Sequence, residues 1–160
     1  MELKQLMKNF PKSGRIEWIG IREERGATLS TLNSISISVE SGLTGDHYRG
    51  TNKKRQVTLI QKEHIEVVEK ILGIETIDPS LLRRNIVVSG LNLLALKDFK
   101  FRLGTAILEY TGLCHPCTRM EKNLGMGGYN AMRGHGGITA RVIEDGLVNL
   151  GDELVIIDND

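Results

Sequence analysis

The sequence predicts a mostly β chain folded as a single antiparallel β-barrel-like domain with a few short helices. Three observations point there. Residues 34–39 (SISISV) alternate apolar and polar side chains at strict period two, as a strand with one buried face does. Seven further short runs rich in Ile, Leu and Val are spaced along the chain with glycine and polar turn signals between them. Only one long segment follows helical spacing, and the pattern shows no alternation of strands with helices.

Taken in order, residues 15–22 alternate apolar and other residues and read as the first strand, followed by 34–39 and the β-branched run 56–60. The period then changes: Ile65, Val68, Ile71 and Leu72 fall on one helical face within 61–72, and Gly73 is a stop signal. Residues 86–88, 99–103 and 106–110 read as strands, the last two joined by a turn at Gly104. A short helix is expected to begin near Cys117 and close over 121–124. Residues 138–143 and 153–157 supply two more strands, with Asp145-Gly146 as turn residues between them. The N-terminal extension, residues 1–13, carries Leu3, Leu6, Met7 and Phe10 at helical spacing and is expected to pack on the domain as a short amphipathic helix.

A length of 160 residues suits one domain spanning the whole chain. Hydrophobic content of 40% and charged content of 26% fit a folded chain with an ordinary core, and 4% aromatics means that Ile, Leu and Val must build it. Twenty-one basic against 20 acidic residues give a net charge of +1, which offers no reason to expect nucleic-acid binding or a membrane surface. No apolar stretch approaches the ~20 residues of a membrane span. The N-terminus lacks the apolar centre and cleavage site of a secretory signal. A cytoplasmic location is therefore expected, where a cysteine pair is a candidate for reactivity or metal binding rather than for a structural disulfide.

The two cysteines lie in Cys114-His115-Pro116-Cys117. Four readings of that spacing stand beside one another. A redox pair at a helix start belongs to a βαβ context that the strand pattern lacks. A zinc site takes four ligands, and only one Cys pair and four scattered histidines are present. One thiol could be activated with the other in support, or both could be buried small hydrophobes. The neighbourhood counts against the last: Gly112 and Pro116 break the strand ending near Tyr110, and Arg119 follows closely, a cation favouring an ionised thiol. Six of the 13 residues in 125–137 are glycine, which suits either a flexible surface connection or a loop wrapped on a ligand. Tyr129, Asn130, Arg133 and His135 within it favour the second. Lys53-Lys54-Arg55-Gln56 and Arg83-Arg84-Asn85 each precede a strand. They are solvated strand ends or, if they converge on the thiol, a site for an anion.

Together these segments resemble the MOSC domain, named for the C-terminal domain of molybdenum cofactor sulfurase. The resemblance is carried by residues 42–47 (GLTGDH), 55–60 (RQVTLI), 83–90 (RRNIVVSG), 114–120 (CHPCTRM) and 127–137 (GGYNAMRGHGG), in that order, and extends over about 15–157. It looks most like the stand-alone bacterial branch. The resemblance implies a barrel-like fold and a pocket for the molybdenum cofactor, a phosphorylated pterin whose dithiolene holds molybdenum. It places the family's key cysteine on Cys117, as a thiolate ligand to molybdenum or, in sulfur-transferring members, a persulfide carrier. By the same implication Arg55, Gln56, Arg83, Arg84, Asn85, Arg119, Tyr129, Asn130 and Arg133 hold the pterin and its phosphate, and Asp46 and His47 line the pocket. Members of known activity reduce N-hydroxylated compounds with electrons from outside donors, so a small N-hydroxylated substrate and electron-donor partner proteins are expected. The sequence shows no pyridoxal-phosphate-dependent desulfurase domain, so any persulfide sulfur is expected to come from elsewhere.

Overall fold

The computed structural model describes residues 1–48 and 52–157. Its strands are β1 (Gly14–Ile21), β2 (Ser30–Leu32), β3 (Ser34–Ser38), β4 (Gly42–Leu43), β5 (Val57–Gln61), β6 (Ile86–Ser89), β7 (Lys100–Leu103), β8 (Ala106–Leu113), β9 (Ile138–Glu144), β10 (Gly146–Asn149) and β11 (Glu153–Ile157). The helices are α1 (Leu3–Leu6), α2 (Lys62–Leu72), α3 (Thr118–Leu124) and α4 (Gly128–Met132), with 3₁₀ turns at Pro79–Leu82 and Leu93–Leu96.

Seven strands close a barrel in the order β1-β11-β7-β8-β9-β5-β6, with β6 returning to β1. β2 hangs from β1, and β10-β3-β4 form a separate small sheet. The alternation in β3 does what its period predicts. Ile35 and Ile37 are buried while Ser34 and Ser36 face out, and with Leu43 and Val148 they join the core that fills the barrel. Phe101 is the largest side chain buried there; the rest are mainly Ile, Leu and Val.

A second core lies on the outside of the wall. Val57, Leu59, Ile86 and Val88 point into the barrel, so Ile60 and Val87, one residue out of phase, point away from it. Ile65 and Val68 of α2, Leu82, Met120 of α3, and Ala131 and Met132 of α4 cover them. Gly73 ends α2 at φ 69°, the left-handed conformation that glycine adopts without strain. This helical layer positions the cysteine segment.

The mostly β, barrel-like expectation holds, and most of the strand and helix positions named above hold; three differences stand out in the barrel and at the N-terminus. First, the chain does contain one strand–helix–strand unit: β5 and β6 are parallel neighbours joined through α2, the one parallel pair among the described strands. The apolar stripe of α2 can be buried only by crossing the outer face of the wall, and this crossing returns the chain in the same direction. Second, β2, β4 and β10 exist although no run predicts them. They are two to four residues long and owe their form to pairing with β1 and β3. Third, α1 does not pack. Leu3, Leu6 and Met7 are 77%, 48% and 60% exposed, and only Phe10 reaches the core, edge-on against Phe99. One turn of helix is too short to hold an apolar face against a surface by itself. No described helix is long and apolar enough to cross a membrane.

Candidate functional site

The cysteine segment joins the end of β8 to α3. Its first residue is fastened on every side. The Cys114 amide donates to the Gly137 carbonyl at 2.8 Å, and its carbonyl accepts from Arg84 Nη2 at 3.2 Å. Its buried sulfur lies 3.8 Å from Arg55 Nη2. Gly136 and Gly137 are required here: a Cβ on Gly136 would strike the Cys114 carbonyl, and one on Gly137, which has φ 88°, would strike the Leu59 carbonyl. Part of the glycine density in 125–137 is thus explained by close backbone approach. The run is not one loop, however. α4 occupies its middle, started at Gly127 and tied by Glu121, whose carboxylate accepts from the amides of Gly127 and Tyr129, each at 3.0 Å. Those two bonds hold the Glu121 carboxyl below its usual range.

Cys117 contrasts with Cys114. It is exposed, has extended backbone (φ −122°, ψ 180°), and stands immediately before α3, which buried Met120 anchors in the outer core. Arg83 and Arg84 approach it from the 3₁₀ turn anchored by buried Leu82, with Arg83 itself left-handed at φ 61°. Arg84 is buried and aims at main chain: Nε donates to the Gly136 carbonyl at 2.7 Å and Nη1 to that of Leu82 at 3.1 Å. Its Nη2 reaches the carbonyls of Cys114 and His115 at 3.2 and 3.4 Å. Burial lowers the Arg84 pKa from its ordinary value, opposed by Cys114 and Cys117 and assisted by Arg55 and Arg22.

Arg83 behaves differently. Burial, then the neighbouring guanidiniums of Arg22 and Arg119, lower its pKa, Cys117 pulls the other way, and Arg84 lowers it further. The sequence-predicted residues Arg55, Arg83, Arg84 and Arg119 therefore do gather around the cysteine segment. Arg22 joins them unannounced. It follows β1, its amide donates to Asp46 Oδ1 at 2.8 Å, and its carbonyl accepts from the His47 amide, which draws the GLTGDH turn to the same edge of the barrel. Its Nε is buried without a hydrogen-bond partner among the described residues. Asp46 also accepts from the Tyr48 amide at 3.4 Å, so the carboxylate organises that turn.

The remaining expected residues are placed elsewhere. Gln56 is buried in the wall, where Nε2 donates to the Val39 carbonyl at 2.8 Å and Oε1 accepts from the Val142 amide at 2.9 Å. Asn85 Oδ1 accepts from the Thr58 amide and hydroxyl at 3.1 and 3.0 Å, and Nδ2 donates to the Gly20 carbonyl at 3.1 Å. Tyr129 and Asn130 line a groove of about 670 Å³ between α3 and α4, with Thr118, Lys122 and Met126. Arg133 is exposed just beyond α4. Among the described residues no three His, Cys, Asp or Glu side chains converge as a metal-ligand group, so a metal held at Cys117 would draw its other ligands from outside that set.

A closed seven-stranded barrel with an outer helical layer, presenting one exposed thiol among arginines at its rim, defines the class of this protein. The chain belongs to the MOSC domain family, whose sequence model matches residues 44–155. No curated protein matches it in sequence. Solved structures share the fold. The YuaD protein of Bacillus subtilis superposes with a TM-score of 0.77 at 19% identity, over 91% of this chain and 96% of that one. YiiM from Geobacillus stearothermophilus gives 0.75 at 15%, over 91% and 75%. YiiM from Escherichia coli gives 0.69 at 18%, over 91% and 71%.

Proposed function

We propose that the protein binds the molybdenum cofactor with Cys117 as its thiolate ligand to the metal, and that it reduces small N-hydroxylated compounds with electrons from partner proteins. The observation that carries this reading is the exposed Cys117 beside Arg83 and Arg84, with Arg22 and Arg119 next to Arg83. A soft thiolate suits molybdenum, and guanidinium groups suit a phosphate ester. The residues present fit the group: the buried, unpaired Arg22 Nε is a donor waiting for an acceptor, which an anionic ligand would provide.

When bound, the cofactor supplies the two-electron chemistry. This chain supplies the rest. Arg84 holds the main chain of the cysteine segment, which limits where the Cys117 sulfur can stand. Arg83 and Arg119 offset the negative charge that a thiolate and a phosphorylated ligand bring together. The groove starting at Thr118, the residue after Cys117, receives the organic part of a substrate against Tyr129, Asn130 and Met126. A cytoplasmic setting would keep the thiol reduced.

A second reading takes the same accessible thiol as a carrier of sulfur or cofactor without redox catalysis. One experiment separates the two. The protein is purified from a host that makes the cofactor, its metal and pterin content are measured, and reduction of an N-hydroxylated base by an artificial electron donor is assayed. Molybdenum with turnover supports the reductase. Molybdenum without turnover on any such substrate favours the carrier, and zinc without pterin removes both.

A further inference from the structure

Resting on the reductase reading, we propose that Lys122 selects the substrate. The groove between α3 and α4 takes a flat aromatic N-hydroxylated compound that carries a carboxylate, with its ring against Tyr129 and Met126 and its carboxylate at Lys122. The groove continues directly from the cysteine segment. Thr118 follows Cys117 and opens α3, and both Thr118 and Lys122 line the groove. Residues four apart on a helix stand on one face, here about 6 Å apart along the axis. That rise is about the length of one six-membered ring. A compound with its N-hydroxylated group at the Cys117 end therefore carries a substituent on the far side of its ring to Lys122.

The chemistry of the lining sets the class of compound. Met126 is 96% exposed and Tyr129 41%, two large apolar surfaces open to water at the groove. A polarisable thioether and an aromatic ring are surfaces on which a planar ring packs well. Met126 stands between Gly125 and Gly127, both at φ 90°, and no atom lies within 4 Å of where a Cβ would stand on either, so the turn leaves the mouth open. The lining carries two charged residues, Glu121 and Lys122, and their surroundings differ. The Glu121 carboxylate accepts from the amides of Gly127 and Tyr129, each at 3.0 Å, which ties it to the start of α4. Lys122 has no hydrogen-bond or ion-pair partner among the described residues, and the side chains of Thr118 and Asn130 have none either. A ligand thus meets an apolar surface, one uncompensated cation and two neutral hydrogen-bonding groups. Such a lining favours an aromatic acid over a neutral ring, and a neutral ring over an aromatic cation.

The test uses the full chain from a host that makes the cofactor and three amidoximes of one shape: para-carboxybenzamidoxime, benzamidoxime and para-(aminomethyl)benzamidoxime, reduced with an artificial electron donor. At low ionic strength kcat/KM is expected to be about fivefold higher for the carboxylate than for benzamidoxime, and the preference to shrink as salt is raised. The preference is a ratio within each protein, so the cofactor content of a preparation cancels. Lys122→Gln is expected to remove it at an unchanged melting temperature, and Lys122→Glu to turn it toward the ammonium compound. Lys97→Gln, just beyond the second 3₁₀ turn, should keep it. No preference in wild type, or an equal one in Lys122→Gln, overturns the selection by Lys122. Where molybdenum-loaded wild type turns over none of the three, the reductase reading fails and the groove is read directly. The Met126 methyl resonance of cofactor-free protein is then followed during titration with para-carboxybenzamidine. A shift that is lost in Lys122→Gln keeps the groove as a site for aromatic acids. No shift in wild type overturns the site as well.

Discussion

Arg83 and Arg84 are neighbours in the chain, yet one belongs to the rim of the barrel and the other to its wall. Arg84 lies buried with its guanidinium among the carbonyls of Leu82, Cys114, His115 and Gly136. Arg83 sits in a left-handed backbone conformation beside Arg22, Arg119 and Cys117, and no carboxylate of the described residues acts on it. The same contrast separates the cysteines: Cys114 is buried with Arg55 on its sulfur, whereas Cys117 is exposed. In both pairs the residue whose polar atoms are satisfied by protein builds the scaffold, and the residue left unsatisfied is the one available to a ligand. Residue type does not distinguish the members of either pair. Hydrogen-bond partners do.

The wall should fail hardest when its most connected member is removed. Arg84→Gln leaves several buried carbonyls without a donor and is expected to lower stability by about 3 kcal/mol or more, measured by urea unfolding. A loss within the range of an ordinary surface substitution would break the comparison at its strongest point. Asn85→Ala, which unpairs Thr58 of β5 and the Gly20 carbonyl of β1, is expected to cost about 2 kcal/mol in the same assay.

The smallest effect lies at the edge of the helical layer, where His64 of α2 and His135 beyond α4 meet edge-on with ring centroids 5.1 Å apart. Burial, then His135, lower the His64 pKa from its ordinary 6.5, against an opposing pull from Glu63. The unfolded chain therefore takes up the proton first as pH falls. The contribution is complete above the unfolded value and is lost as pH drops through the folded one. Urea midpoints compared at about pH 7.5 and about pH 5 should fall at the lower pH, and His64→Gln should fall less. An identical drop in both proteins would assign the effect to other groups.

Much of the fold was legible because it rests on local pattern. The alternation in β3 and the apolar stripe of α2 with Gly73 behind it are visible in a few adjacent residues. β2, β4 and β10 were not, since two to four residues carry no period and pairing alone makes them strands. α4 was hidden because Gly127 and Gly128 read as loop, while the bonds that start it come from Glu121, which no motif connects to it. The parallel β5–β6 pair depends on how α2 crosses the wall, a long-range outcome. At the candidate site, the cysteine pair and Arg119 were legible through proximity in sequence, and the family resemblance singled out Cys117. Arg22 was not, because only the turn at Asp46 and His47 ties it to the same edge. Asn85, Gln56 and Arg84 lie in conspicuous motifs, but a conspicuous motif can serve the wall.

The central claim is that the unsatisfied cysteine, not its buried partner, anchors the cofactor. Wild type, Cys117→Ser and Cys114→Ser are purified in parallel from a host that makes the cofactor, and molybdenum and pterin are measured per folded chain. Stoichiometric molybdenum is expected in wild type, lost in Cys117→Ser and largely kept in Cys114→Ser. Undiminished molybdenum in folded Cys117→Ser would contradict the account.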